Sequence, residues 1–173
     1  MNWDALGAIG EIAGAIGVIV TLLYLARQIR ESNHSARHAG TQEILNQVTS
    51  GIRDQAKDPA LVDLWIRGHM CDPDLTPEET TRFRMQLMQF VMIWERAFSL
   101  HREGRLDESV WQTLSRHRGQ IVMSRGFKTY FDARKRFYSD EFRHLLEQEI
   151  ANSAGEEWLP QGVEEAIADF KTN

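Results

Sequence analysis

One cysteine, Cys71, and four prolines are all the chain holds of two residue types that constrain a fold. A single thiol rules out an intrachain disulfide, and it fits a reducing compartment without requiring one. So few prolines in 173 residues leave long stretches free to be helical. No lysine or arginine precedes Arg27. A cleaved secretory leader normally starts with positive charge, and here Asp4 stands in that region instead. All 20 basic residues therefore lie from Arg27 onward, against 23 of the 25 acids, a net −3 within a chain total of −5. A mildly acidic chain does not advertise nucleic-acid binding. Catalytic signatures are missing as well: there is no G-x-S-x-G, no G-x-G-x-x-G and no P-loop.

What is present is a long apolar run at the start. Residues 5–26 number 22, with Glu11 as the only charge. At about 1.5 Å per residue they reach about 33 Å, close to the ~30 Å hydrocarbon thickness of a bilayer. The run is apolar around its whole circumference, as a lipid-facing helix should be. A membrane span is the leading expectation. A helix buried inside a water-soluble oligomer and a signal peptide are the alternatives. Arg27, Arg30 and Arg37 follow the run and no basic residue precedes it. The positive-inside rule then places the short N-terminus outside and the C-terminal part in the cytoplasm.

Four glycines interrupt the run. Gly7, Gly10, Gly14 and Gly17 are spaced 3, 4 and 3, and Thr21 continues them. That spacing draws one stripe along a helix, and Gly10 with Gly14 forms GxxxG. Each glycine costs roughly 1 kcal/mol of helix propensity relative to alanine. Four on one face suggest a compensating close contact with another helix, and homo-oligomerisation is the expected use. The plainer reading is that glycine is commoner in membrane helices. Glu11 flanks the stripe. It stays hydrated at the outer headgroup boundary, or it lines the mouth of a small homo-oligomeric ion channel.

The remaining sequence reads as helices. Residues 27–58 can continue the first helix, with Ser32-Asn33 or Gly40 as possible interruptions. Asp58-Pro59 is an N-cap and first-turn pair for a short helix that turns Leu61, Leu64 and Trp65 inward. Thr76 caps a long helix whose Phe83, Leu87, Phe90, Val91, Trp94 and Phe98 recur at helical spacing, with Gly104 as its stop. Asp107 caps a helix carrying Val110, Trp111, Leu114 and Ile121. A short helix follows over 126–137, and Ser139 caps another over 140–153. The expected fold is all-α: one N-terminal transmembrane helix followed by a small helical bundle. Residues 1–29 form the anchor, 30–57 a juxtamembrane stalk, 58–153 the helical domain and 154–173 an acidic tail with at most a short terminal helix.

Three stretches, "AIGEIAGAIGVIVTLLYLARQIRESN", "HREGRLDESVW" and "YFDARKRFYSDEF", carry a resemblance. The chain resembles an uncharacterised family of bacterial single-span membrane proteins with a small C-terminal helical domain. The resemblance implies the bacterial inner membrane, and it brings no activity, cofactor or catalytic residue with it.

Candidate chemistry is sparse. His34 and His38 share a helical face, but a zinc site needs further ligands, and two exposed polar residues are the simpler reading. Glu141-x-x-His144 occurs once, whereas a di-iron bundle uses the motif twice; Glu95 could add a carboxylate, or pair with an arginine at the core edge. His69, Met70 and Cys71 are adjacent soft ligands, and adjacent residues rarely converge on one metal. No cofactor or metal is expected. Arg116, Arg118, Arg125, Lys128, Arg134, Lys135 and Arg136 interleave with Phe127, Tyr130, Phe131 and Phe137. One reading is contact between lipid headgroups and Arg125, Lys128, Lys135 and Arg136, alongside Arg27 and Arg30. Another buries the aromatics and solvates the cations. A third pairs the cations with the acids Glu147, Glu149, Glu156, Glu157, Glu164, Glu165 and Asp169. The expected role is non-enzymatic: self-association through the glycine stripe, membrane lipid as surroundings, and a domain presented for assembly or an unidentified protein partner.

Overall fold

The computed structural model describes residues 3–153, with the side chains of residues 3–10, 12, 13 and 15 outside that description. Every regular element among the described residues is helical. Helix α1 runs unbroken over Trp3–Ala56, so neither Ser32-Asn33 nor Gly40 interrupts it. Helix α2 spans Pro59–Met70, α3 Pro77–Arg102, α4 Glu108–Val122, α5 Arg125–Arg134 and α6 Asp140–Asn152, with a 3-10 turn at Lys135–Phe137 before the last. Among the described residues no helix is long and apolar enough to cross a membrane. The acidic residues of 154–173, and the short helix expected there, lie outside the described residues.

Sequence capping signals set several boundaries. Asp58 Oδ1 accepts from the Ala60 amide at 2.9 Å, and Pro59 follows. Thr76 and Glu79 form a reciprocal capping box, with the Thr76 amide donating to Glu79 Oε2 at 2.8 Å and the Glu79 amide donating to Thr76 Oγ1 at 3.2 Å. Gly104 adopts φ 68° just past α3, a left-handed position that glycine takes without strain. Two expected caps are corrected. Asp107 and Ser139 make no side-chain cap bond, and their backbone amides are held from elsewhere. The Asp107 amide donates to Thr41 Oγ1 at 3.0 Å, and the Ser139 amide donates to Glu95 Oε1 at 2.8 Å. Ser124 supplies a cap the sequence reading missed. Its hydroxyl accepts from the Phe127 amide at 3.1 Å and splits the expected 108–124 helix from α5.

Two apolar clusters fill the body. Leu64, Phe83, Leu87, Phe90, Val91, Trp94, Phe127, Tyr130, Phe131, Phe142 and Leu146 join α2, α3, α5 and α6. Ile44, Ala97, Leu100, Leu106 and Leu114 join α1, α3 and α4. Residues from Gly40 onward, read as stalk from sequence, therefore contribute Thr41 and Ile44 to the buried interior. Helices α1 and α3 run antiparallel in one register over about three turns. Gly40 lies against Leu100 and the Arg105 carbonyl, Glu43 pairs with Arg96 at 3.0 Å, and Gly51 meets Gln89 and Phe90. Gly68 backs onto the Phe83 ring, and Gly126 backs onto the Gly68 backbone. Only glycine permits approaches that close.

Candidate functional site

The described part of α1 before Gly40 makes almost no contact with the body. From Ile16 to Leu25 every side chain is exposed, Ile16 at 56%, Val18 at 60%, Leu22 at 60% and Leu23 at 65% among them. Ile29 is 60% exposed. These residues point in all directions around the helix, so an uncovered apolar shell encircles it. Patches of this extent on a protein mark a contact with lipid or another protein. The stripe residues differ in what can be said of them. Gly7 and Gly10 have side-chain positions outside the described residues. A Cβ added at Gly14 or Gly17 would meet nothing within 4 Å. Nothing among the described residues accounts for glycine at these two positions. Thr21 returns its hydroxyl to the Gly17 carbonyl at 2.8 Å, which satisfies that polar group within the helix. Glu11 is exposed.

Arg27 pairs with Glu31 at 3.3 Å. Arg30 Nε donates to the Ala26 carbonyl at 3.4 Å, and Arg37 Nε donates to the Gly104 carbonyl at 3.0 Å. With Thr41 and Gly40, Arg37 fastens the α3–α4 corner to the shaft. The other cations of the lipid-contact reading belong to α5 and the turn after it. Arg125 begins α5 beside Gly126, which backs onto Gly68, and Lys128 is half-buried one turn on. Lys135 and Arg136 sit on the 3-10 turn, Lys135 paired with Asp132 at 3.2 Å. Arg136 stacks over the exposed Phe137 ring at 4.8 Å. Phe127, Tyr130 and Phe131 are buried, so the reading in which aromatics fill the core holds for these three. One acid of the proposed pairing also appears, since Glu149 takes Arg118 in two bonds of 2.6 and 2.8 Å.

Arg118 is the one charged residue of the body that sequence reasoning did not expect to bury. It is 1% exposed, held by Glu149 and lying 4.9 Å from the Trp111 ring. Its i+4 and i−4 neighbours Leu114 and Val122 are both buried, a spacing that signals its inward position. His69 is also 1% exposed, with Nδ1 2.7 Å from Ser124 Oγ. Burial pushes its imidazole down to about 3, so it is neutral at physiological pH. Its neighbours diverge from it: Met70 is 51% exposed, and Cys71 is exposed in a left-handed turn at φ 55°. A cleft of about 160 Å³ opens beside Cys71, between Asp72, Arg84, Thr129 and Tyr130. Cys71 Sγ lies 3.9 Å from Thr129 Oγ1 there.

The metal candidates are dispersed. His34 and His38 are both exposed. Glu141 pairs with Arg102, while His144 Nδ1 faces Glu147 at 3.3 Å. Glu95 holds the Ser139 amide rather than an arginine. Among the described residues no three His, Cys, Asp or Glu side chains gather as a metal site. No family model matches the chain, and no curated protein or solved structure matches it either.

Proposed function

We propose that the chain is a single-span membrane protein, anchored by the N-terminal half of α1, which self-associates along its glycine stripe and presents the helical body on the cytoplasmic side. One observation carries this reading: the apolar shell from Ile16 to Ala26 is uncovered on every side of a helix that has left the body. In water that much exposed aliphatic surface is unfavourable, at about 25 cal/mol per Å². In lipid it is the ordinary state. The described shell down to Ala26 covers about 16 Å, half a bilayer, and the apolar sequence from Ala5 supplies the other half. The bonded hydroxyl of Thr21 suits such surroundings. The open space at Gly14 and Gly17 supports a helix from a second copy as the packing partner, since lipid gives little drive for association without close backbone approach. The arginines that follow the shell favour an orientation with the body on the cytoplasmic side, and the resemblance noted from sequence implies the bacterial inner membrane as its setting.

Fractionation after detergent-free lysis tests the anchor. The full chain is expected in the membrane pellet, released by detergent and not by salt; recovery in the aqueous fraction rejects the reading. The seam is tested separately by light scattering in detergent. Gly10→Leu with Gly14→Leu is expected to lower the particle mass, and an unchanged mass rejects self-association through this face.

A further inference from the structure

We infer that the α3–α4 corner, with Arg30 and Arg37 above it, is the face of the body turned toward anionic lipid headgroups, and that the end carrying Cys71 and Arg125 is the one turned away. The inference rests on the anchor reading and adds an orientation to it.

Its basis is the continuity of α1 together with the register of α3. A single helix joins the apolar shell to the body without a break, so the body cannot swivel about a loop. Gly40 sits against Leu100 and the Arg105 carbonyl, which places the α3–α4 corner level with Gly40. From Ala26, the last residue of the apolar run, to Gly40 is about 21 Å at ~1.5 Å per residue. The headgroup layer occupies roughly 5–8 Å of that distance. The corner therefore stands about 13–16 Å beyond the headgroups, roughly two Debye lengths at physiological salt, while Arg30, about 6 Å past Ala26, lies at their level. The same register carried past Gly51 and Gln89 sets Phe83 level with the end of α1, and Gly68 and Gly126 are packed at Phe83. Cys71 and Arg125 then stand about 45 Å from the apolar run along the helix axis.

Charge agrees with this orientation. Arg30 and Arg37 are two turns apart on one side of α1, the side that meets the corner. Both bond to backbone carbonyls, of Ala26 and Gly104. The corner's own arginines are matched by acids, Arg102 by Glu141 and Arg105 by Glu103, while Asp107 and Glu108 are exposed acids beside them. Arg30 and Arg37 are thus the cations between shell and body whose charge is left for phosphate headgroups, each worth a modest attraction near an anionic surface.

The native thiol provides the ruler. Full-length protein is reconstituted into phosphatidylglycerol-containing vesicles with headgroup-linked acceptor dye, and a donor is attached to Cys71 or, in Cys71→Ser with Glu103→Cys, to residue 103. Energy transfer at 103 is expected to exceed that at 71 several-fold. Equal transfer, or more at 71, overturns the orientation. Because helix and body are one rigid unit, an anionic surface acts by tilting that unit toward the corner: replacing phosphatidylglycerol by phosphatidylcholine is expected to lower transfer at 103, and Arg30→Gln with Arg37→Gln to remove that lipid dependence. A dependence that survives in this variant overturns the role of the two arginines. Protein that does not float with the vesicles at all overturns the anchor reading, and this inference with it.

Discussion

The same residue type serves opposite ends in the two parts of this molecule. In the shaft, Gly14 and Gly17 have open space around them. In the body, Gly68 and Gly126 are pressed so closely against Phe83 and against each other that neither has room for a methyl group. Gly40, Gly68 and Gly126 are explained by close approaches within the body, whereas Gly14 and Gly17, like Gly119 on α4, border open space among the described residues. The apolar residues divide in the same way. Leu87, Phe127 and Leu146 are sealed inside, while Val18, Leu22 and Leu23 are bare. One part is stabilised by its own packing. The other waits on its surroundings.

Substitutions can break this contrast. The largest effect is expected from Arg118→Ala, which strands the partly buried Glu149 and empties the space beside Trp111. Removing one member of a buried pair costs about 3 kcal/mol or more. Urea unfolding followed by tryptophan fluorescence should show it, and a loss under 1 kcal/mol would mean that the pair is solvated. Gly126→Ala comes next, at roughly 2 kcal/mol, because the new methyl meets the Gly68 backbone, which cannot swing aside as a flexible side chain would. Gly14→Ala and Gly17→Ala form the matched control. They should not destabilise the protein, since open space accepts the methyl and alanine's helix propensity adds up to about 1 kcal/mol at each site.

Acid should separate the two parts as well. His69 is held down to about 3 in the folded body, against about 6.5 in an unfolded chain. The unfolded state therefore binds the extra proton first as pH falls. Stability from this group is complete above about pH 6.5 and is lost on acidification toward 3, with a limiting slope of about 1.4 kcal/mol per pH unit. His69→Gln should flatten that part of the profile; an unchanged slope would assign the acid sensitivity to other groups. The smallest effect is expected at the surface pair Arg27–Glu31, where both side chains are more than two-thirds exposed. Arg27→Gln should change body stability by no more than a few tenths of a kcal/mol.

Much of the fold was legible in local chemistry. The capping box at Thr76 and Glu79, the Asp58-Pro59 start and the Gly104 stop depend on residues a few positions apart, and all three appear where their spacing puts them. The failures involve distant partners. Asp107 and Ser139 look like caps, yet Thr41 and Glu95 hold their amides across the fold. Ser124, whose hydroxyl caps α5 three residues before Phe127, is a local signal that the sequence reading passed over.

By itself, the sequence determined that the chain is helical and where most helices begin, because capping, turn residues and a 3.6-residue apolar period act over a few positions. It also determined that an apolar run with a glycine stripe precedes the first arginine. Only the tertiary structure decided that this run continues without a joint into the body, that Arg118 and His69 go inside, and that Thr41 and Glu95 hold the amides of Asp107 and Ser139. Those outcomes depend on which helices meet and at what level, a matter of packing between residues dozens of positions apart that no local pattern encodes.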